Sequence, residues 1–288
     1  MDQSESKGRA LVLGGGGVAG IAWMTGLLLG LKEGGADVTA ADFVLGTSAG
    51  AAVGAQVASG APLEQLYARQ TDPALQGDEL KPGEEQSAAL QACGAAAKTL
   101  EDPVARQRLI GRLSLEAATV TEPVRRAVIA GRLPSTDWPA RRLGLVGVDA
   151  LTGEAVMFDR ASSASLVDAV AASCAVPCVW PPVTIGGRRY VDGGVRTSTN
   201  LDLARGYGRV LVLTLRGDEE GAFGENPLRR QIAEIEAAGS ATQVIAADPA
   251  VREAVGPSTL DPAVRAPVAA AGRTQGLAAA AAVARFWG

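Results

Sequence analysis

Ser48 stands between two glycines in Gly46-Thr47-Ser48-Ala49-Gly50, a G-x-S-x-G spacing that suits a nucleophilic hydroxyl on a tight strand-to-helix turn. Glycine on either side removes Cβ atoms that would clash there, and the turn sets the hydroxyl near the positive end of the next helix. Such a serine needs a base, and the usual one is missing, because the chain contains no histidine. A Ser-His-Asp relay, Cys-His catalysis and a histidine-containing zinc site are thereby excluded. Two other segments could serve the hydroxyl. Gly14-Gly15-Gly16-Gly17 leaves consecutive unshielded N–H groups able to point at one anion. Asp192-Gly193-Gly194 sets a carboxylate at a strand end where another backbone can approach closely, although an ordinary Asx turn has the same residues.

The glycine loop has competing readings. Gly15-x-Gly17-x-x-Gly20 fits a dinucleotide fingerprint, and Asp37 lies near the distance of a ribose-binding acid. On that pattern an NAD(P)-binding Rossmann-type oxidoreductase, an oxyanion hole serving Ser48 and a plain βα turn stand level. No Walker lysine follows the loop, which argues against a nucleoside-triphosphate site.

The surrounding pattern supplies elements to carry these residues. Arg9–Leu13 reads as a strand running into the glycines, and Ile21, Met24, Leu28 and Leu31 repeat at helical spacing after them. Phe43–Leu45 reads as a buried strand before Ser48, and Ala49–Ala58 as the helix after it. Residues 60–139 carry no strand signal and predict a helical insertion, with helices over Leu63–Gln70, Glu84–Leu100, Pro103–Leu113 and Glu122–Arg132. The insertion fits a lid over a substrate site and equally a cover for one edge of a sheet. Leu143–Val148 and Glu154–Phe158 predict a hairpin, Leu166–Ser173 a short helix, and Val183–Ile185 with Arg188–Val191 a hairpin about Gly186-Gly187 that delivers Asp192. Arg209–Leu215 predicts another buried strand, followed by an acidic loop over 218–225. Leu228, Ile232 and Ile235 share a helix face, and an alanine-rich helix runs from about residue 262 to 288. Its Arg285-Phe286-Trp287 end suits docking on the domain or contact with a membrane interface.

Composition limits the function classes. A chain of 288 residues with 47% hydrophobic and 20% charged residues has room for one large α/β core. Its net charge of −4, with no run of Lys and Arg longer than a pair, argues against nucleic acid as a partner. Three cysteines without framework spacing read as reduced thiols of a cytoplasmic protein, and Cys174 and Cys178 as packing groups rather than metal ligands. Residues 1–9 lack the apolar stretch of a signal peptide, and the apolar runs at 21–29 and 277–284 fall short of the ~20 residues of a spanning helix. The expectation is a protein that is soluble or peripheral to a membrane.

Taken together, the ordered motifs resemble the patatin-like phospholipase family over residues 11 to about 215. The resemblance rests on Gly15-Gly16-Gly17 with Gly20, on Gly46-Thr47-Ser48-Ala49-Gly50, on Ala172-Ser173-x-Ala175-x-Pro177 with Pro181-Pro182-Val183, and on Tyr190-Val191-Asp192-Gly193-Gly194. It implies a single domain over 1–288 built as a three-layer αβα sandwich with a mainly parallel central sheet. It further implies hydrolysis of lipid or other acyl esters by a Ser48–Asp192 dyad, with Gly15, Gly16 and Gly17 supplying oxyanion N–H groups, Gly46 and Gly50 shaping the elbow, and no cofactor. The absence of histidine is what such a dyad predicts. A lipid-binding protein that kept the fold without turnover would carry the same motifs. The chain departs from the family at Ala19, where many members carry Arg or Lys, a cation available to an anionic substrate.

Overall fold

The computed structural model describes residues 8–219, 221, 223 and 227–288. Most of the polar N-terminal stretch and part of the acidic loop expected over 218–225 therefore lie outside the described residues. Eight strands form one sheet: β1 (Arg9–Leu13), β2 (Phe43–Thr47), β3 (Leu143–Asp149), β4 (Ala155–Phe158), β5 (Val183–Ile185), β6 (Arg188–Asp192), β7 (Arg209–Thr214) and β8 (Ala241–Ala246). Hydrogen-bonded neighbours run β5-β6-β3-β2-β1-β7-β8, and β4 also pairs with β3. The β3-β2-β1-β7-β8 stretch is parallel throughout, whereas β4 and β6 pair with β3 and β5 with β6 antiparallel.

Period-two alternation turns this sheet into the middle layer of a sandwich. Leu11 and Leu13 of β1, with Leu211 and Leu213 of β7, pack into one buried cluster. That cluster includes residues of α1 (Gly17–Glu33), α2 (Ala49–Ala58), α7 (Leu166–Ser173) and α10 (Arg265–Trp287). The alternate residues Ala10, Val12, Val210 and Val212 face the other way, onto Leu201, Ala204, and Leu228 and Ile235 of α8 (Leu228–Ala237). The result is a three-layer αβα sandwich. The insertion folds as α3 (Leu63–Thr71), α4 (Glu84–Lys98), α5 (Pro103–Glu116) and α6 (Glu122–Arg132), within a residue or three of the sequence expectation. Two elements escaped that reading: the edge strand β8 and α9 (Pro249–Val255).

Helices α1 and α10 lie unusually close. A Cβ on Gly26 would fall 2.1 Å from the Ala269 carbonyl oxygen, and one on Gly276 would fall 2.3 Å from that of Leu27. Glycine and alanine at this seam let two backbones touch directly. The C-terminal helix is accordingly docked on the domain, with Trp287 buried and Arg9 stacked 5.6 Å from its ring centre.

The arrangement about β3 decides where the site forms. Val44 N–H of β2 donates to the Arg142 carbonyl (3.0 Å), and Ala150 N–H donates to the Arg189 carbonyl of the β6 hairpin (2.8 Å). Asp149 N–H, one residue out of phase, donates instead toward β4 at Glu154 (2.9 Å). Because successive residues of a strand present their amides to opposite edges, β2 and β6 share one edge of β3. There β2 runs parallel and ends with Thr47 opposite Val146, while β6 runs antiparallel and ends with Asp192 opposite Gly147. Two strands thus meet head to head, with Ser48 and Asp192 at the meeting point.

Candidate active site

Ser48 occupies φ 54°, ψ −115°, a conformation that costs a residue with a side chain of order 1–3 kcal/mol. Its neighbours explain how the turn is held. A Cβ on Gly46 would fall 2.5 Å from the Gly50 carbonyl oxygen, and one on Gly50 would fall 1.9 Å from that of Leu13. Gly50 N–H donates to the Gly14 carbonyl (3.0 Å), fastening the elbow to the glycine loop. The Ser48 amide donates to Ser173 Oγ (2.9 Å), and its carbonyl accepts from Cys174 Sγ (3.1 Å).

The same short segment after α7 also holds the aspartate. Asp192 N–H donates to the Ala175 carbonyl (3.0 Å), so Ser173-Cys174-Ala175 clamps the backbones of both expected dyad members. The Asp192 carboxylate is oriented by the Gly194 N–H, which donates to Oδ1 (2.7 Å). Asn200, at φ 50°, donates through Nδ2 to Thr47 Oγ1 (3.1 Å) and to the Gly193 carbonyl (3.1 Å). It therefore ties the residue before Ser48 to the residue after Asp192. Neither Ser173 nor Asn200 was assigned a role from the sequence, although Ser173 lies inside a motif that the resemblance rests on.

Gly16, Gly17, Ser48 and Asp192 line one cavity of about 120 Å³, whose apolar wall includes Leu90 of α4, Val176 and Leu260. Ser48 and Asp192 are only 7% and 4% exposed. Gly15 lines the same cavity, and its N–H donates to the Ser198 carbonyl (2.8 Å). Gly16 and Gly17 stand at the start of α1, where the helix dipole favours an anion. Ala19, the position expected to carry a cation in many relatives, is fully buried and donates its N–H to the Thr259 carbonyl (3.0 Å).

The dinucleotide reading of this loop fails on placement. Asp37 lies between α1 and the start of β2, at the amino end of the parallel strands, whereas the glycine loop follows the carboxyl end of β1. Its Oδ1 accepts from Thr39 N–H (2.9 Å) and Thr39 Oγ1 (2.6 Å), as a turn-forming aspartate. A 17-residue helix, about 25 Å long, separates it from the glycines.

The three cysteines are free and buried. Cys93 is not remote, as its sequence position suggests. It packs in one cluster with Cys178, and a hydrogen bond between the two thiols pushes Cys93 up and holds Cys178 down to about 7. Burial pushes Cys174 up to about 12, with Arg132, Asp192, Arg125 and Glu79 all acting on it.

A second cavity beside Ser48 brings in residues that no motif announced: Glu79, Arg125, Arg132 and Trp180. The Glu79 carboxylate accepts from Arg125 Nη1 (2.9 Å), Arg132 Nη2 (2.6 Å) and Nε (3.0 Å), and Arg265 Nη2 (3.3 Å). Burial pushes the Glu79 carboxyl up, but the Arg132 and Arg125 charges prevail and leave it below its usual value. Burial, aided by Arg132, lowers Arg125 to about 10. Its guanidinium lies 4.1 Å from the centre of the Trp180 ring.

Among the described residues, no helix is long and apolar enough to cross a membrane. No curated protein matches the chain. Among solved structures, VipD from Legionella pneumophila aligns at 13% identity with a TM-score of 0.44, covering 95% of this chain and 67% of VipD. The type III effector protein ExoU aligns at 18% identity with a TM-score of 0.41, covering 96% of this chain and 53% of ExoU, so the chain spans about half that protein's length. The family model for patatin-like phospholipase matches residues 11–205, more than half of the chain and all of the segments that build the cavity from β1 to Asn200. The chain belongs to the patatin-like phospholipase family.

Proposed function

We propose that the protein is a lipid acyl hydrolase, phospholipase A-like or a carboxylesterase, working through a serine acyl-enzyme. Ser48 Oγ forms a bond to the ester carbonyl carbon as its proton passes to the Asp192 carboxylate and the carbonyl π electrons move onto oxygen. The Gly16 and Gly17 amides receive that oxyanion. Collapse expels the alcohol, which takes the proton from Asp192. Water then attacks the acyl-enzyme by the same route, releasing the carboxylic acid and restoring Ser48. An ordinary aspartate carboxyl titrates near pKa ~3.9 and is a weak base for a serine, so much of the rate rests on the oxyanion donors, each worth roughly 10²–10³ in hydrolases.

The observation that carries this reading is the head-to-head meeting of β2 and β6 on one edge of β3, which delivers Ser48 and Asp192 to a single cavity. The apolar wall of that cavity suits an acyl chain. The test uses 4-nitrophenyl butyrate with Ser48→Ala and Asp192→Asn, each checked for folding by circular dichroism. Both should lose at least about 10³-fold in kcat/KM, and a fluorophosphonate probe should label the wild type but not Ser48→Ala. Wild-type rates in either variant would overturn the dyad. Failure of the probe to label the wild type would favour a lipid-binding protein of the same fold without turnover.

A further inference from the structure

Arg125, Arg132 and Arg265 converge on the single carboxylate of Glu79, leaving this cluster with two uncompensated positive charges. The salt-bridged side chains are nearly all inaccessible: 5% exposed for Arg125, 10% for Arg132 and 2% for Glu79. Burying charge without matching counter-charge is unfavourable. The adjoining cavity, lined by Arg132 and Arg265, does not redress the balance among the described residues, since it adds Asp78 but also Arg69. A further donor is unspent: Arg125 Nε is buried and has no hydrogen-bond partner. Buried guanidinium donors are ordinarily satisfied, so this one points to an acceptor that the protein does not itself supply.

The position of the cluster gives that acceptor a role. Arg125 and Arg132 line the cavity that Ser48, Ala49 and Gly17 also line, with Trp180 stacked on Arg125. Ser48, Gly17, Val176 and Leu260 are shared with the larger cavity that holds Asp192. A substrate with its carbonyl at Ser48 would therefore reach the arginines with a group a few bonds away. Three guanidiniums arranged about a carboxylate are suited to any planar or tetrahedral oxyanion.

Resting on the hydrolase reading above, we infer that Arg125, Arg132 and Arg265 form a specificity subsite for an anionic group, carboxylate or phosphate, carried by the ester substrate. Glu79 is the internal occupant of this subsite. The free space now beside it, about 10 Å³ in one cavity and 30 Å³ in the other, admits little more than water. Glu79 belongs to the irregular stretch between α3 and α4, so its withdrawal opens the subsite without unwinding a helix. The cluster thus places a cation for the substrate where Ala19 supplies none.

The test compares matched esters. Mono-4-nitrophenyl glutarate is set against 4-nitrophenyl butyrate, and dihexanoyl phosphatidic acid against dihexanoylglycerol, in the wild type, Arg125→Met, Arg265→Gln and Glu79→Gln. The quantity read is the ratio of kcat/KM for the anionic to the neutral member. The wild type should prefer at least one anionic ester. Arg125→Met and Arg265→Gln should each reduce that ratio by roughly tenfold or more, the loss expected of a charged hydrogen bond, and Glu79→Gln should raise it. Preference within the carboxylate pair assigns a free acid, and preference within the phosphate pair assigns a lipid headgroup. Ratios unchanged within twofold in folded variants, or no anionic preference in the wild type, would overturn the inference. If the wild type cleaves none of the four esters, the hydrolase reading fails instead. Inorganic phosphate then decides the subsite: a rise in melting temperature in the wild type that is lost in Arg265→Gln supports it, and no rise overturns it.

Discussion

At the scale of single residues, the positions that hold Ser48 are as telling as Ser48 itself. Ser48 keeps its left-handed φ because Ser173 Oγ accepts its N–H and Cys174 Sγ donates to its carbonyl. Ser173→Ala leaves a buried amide without an acceptor, at a cost of about 1–3 kcal/mol in stability. It also frees the turn to relax, and misplacement of a reacting atom by about 1 Å can cost 10²-fold. We expect kcat to fall at least tenfold with little change in KM. Ser173→Thr, which retains the hydroxyl, should recover part of the loss, as steady-state kinetics on 4-nitrophenyl butyrate would read. A simple loss of stability would not give this split. The sequence discloses Ser48, the glycines and Asp192 because their chemistry is written in local spacing. Ser173 and Asn200 act across 125 and 153 residues, and Arg125, Arg132, Arg265 and Glu79 are drawn from three separated segments. No local pattern encodes such meetings.

At the scale of elements, the seam between α1 and α10 holds the glycine loop in place from behind. Helix α1 begins at Gly17, within the cavity, so anything that pushes the two helices apart shifts the Gly16 and Gly17 amides proposed as oxyanion donors. Gly276→Ala puts a Cβ 2.3 Å from the Leu27 carbonyl oxygen, a backbone atom that moves only with its helix. Overpacking of this kind costs about 1–3 kcal/mol, which for a chain of this size lowers the melting temperature by about 2–5 °C. Leu277→Ala, one residue along on the exposed side, should change it little. Differential scanning calorimetry of the two variants checks the pair. Element boundaries were legible wherever an apolar pattern or a cap was strong: α2, α6 and α7 fall on the residues their spacing predicts. β8 was missed because Ala241–Ala246 is a half-buried edge strand with no clean alternation, and α9 because it has only seven residues.

At the scale of the whole molecule, three structural contributions converge on one end of the sheet. The carboxyl ends of β1 and β2 bring the glycine loop and Ser48, the β5–β6 hairpin returns Asp192, and the insertion brings Leu90 and the arginines of α6. The sandwich itself was expected from the family resemblance carried by the ordered glycine, serine and aspartate motifs. The same resemblance brought Ser48, Asp192 and the glycine loop together, but not the means, because that depends on β2 and β6 sharing an edge of β3, a matter of register rather than composition. That shared edge also bears on how the chain reaches its native state. The parallel sheet itself joins distant segments, Arg9 with Arg209 and Val44 with Leu143, so the junction is complete only when the chain has paired residues far apart in order, and such long-range closures are slow. Refolding followed by circular dichroism should therefore run ahead of regained esterase activity. The interval between the two signals would time the moment at which the β6 hairpin finds its place beside β2, making turnover a clock for the final step of folding.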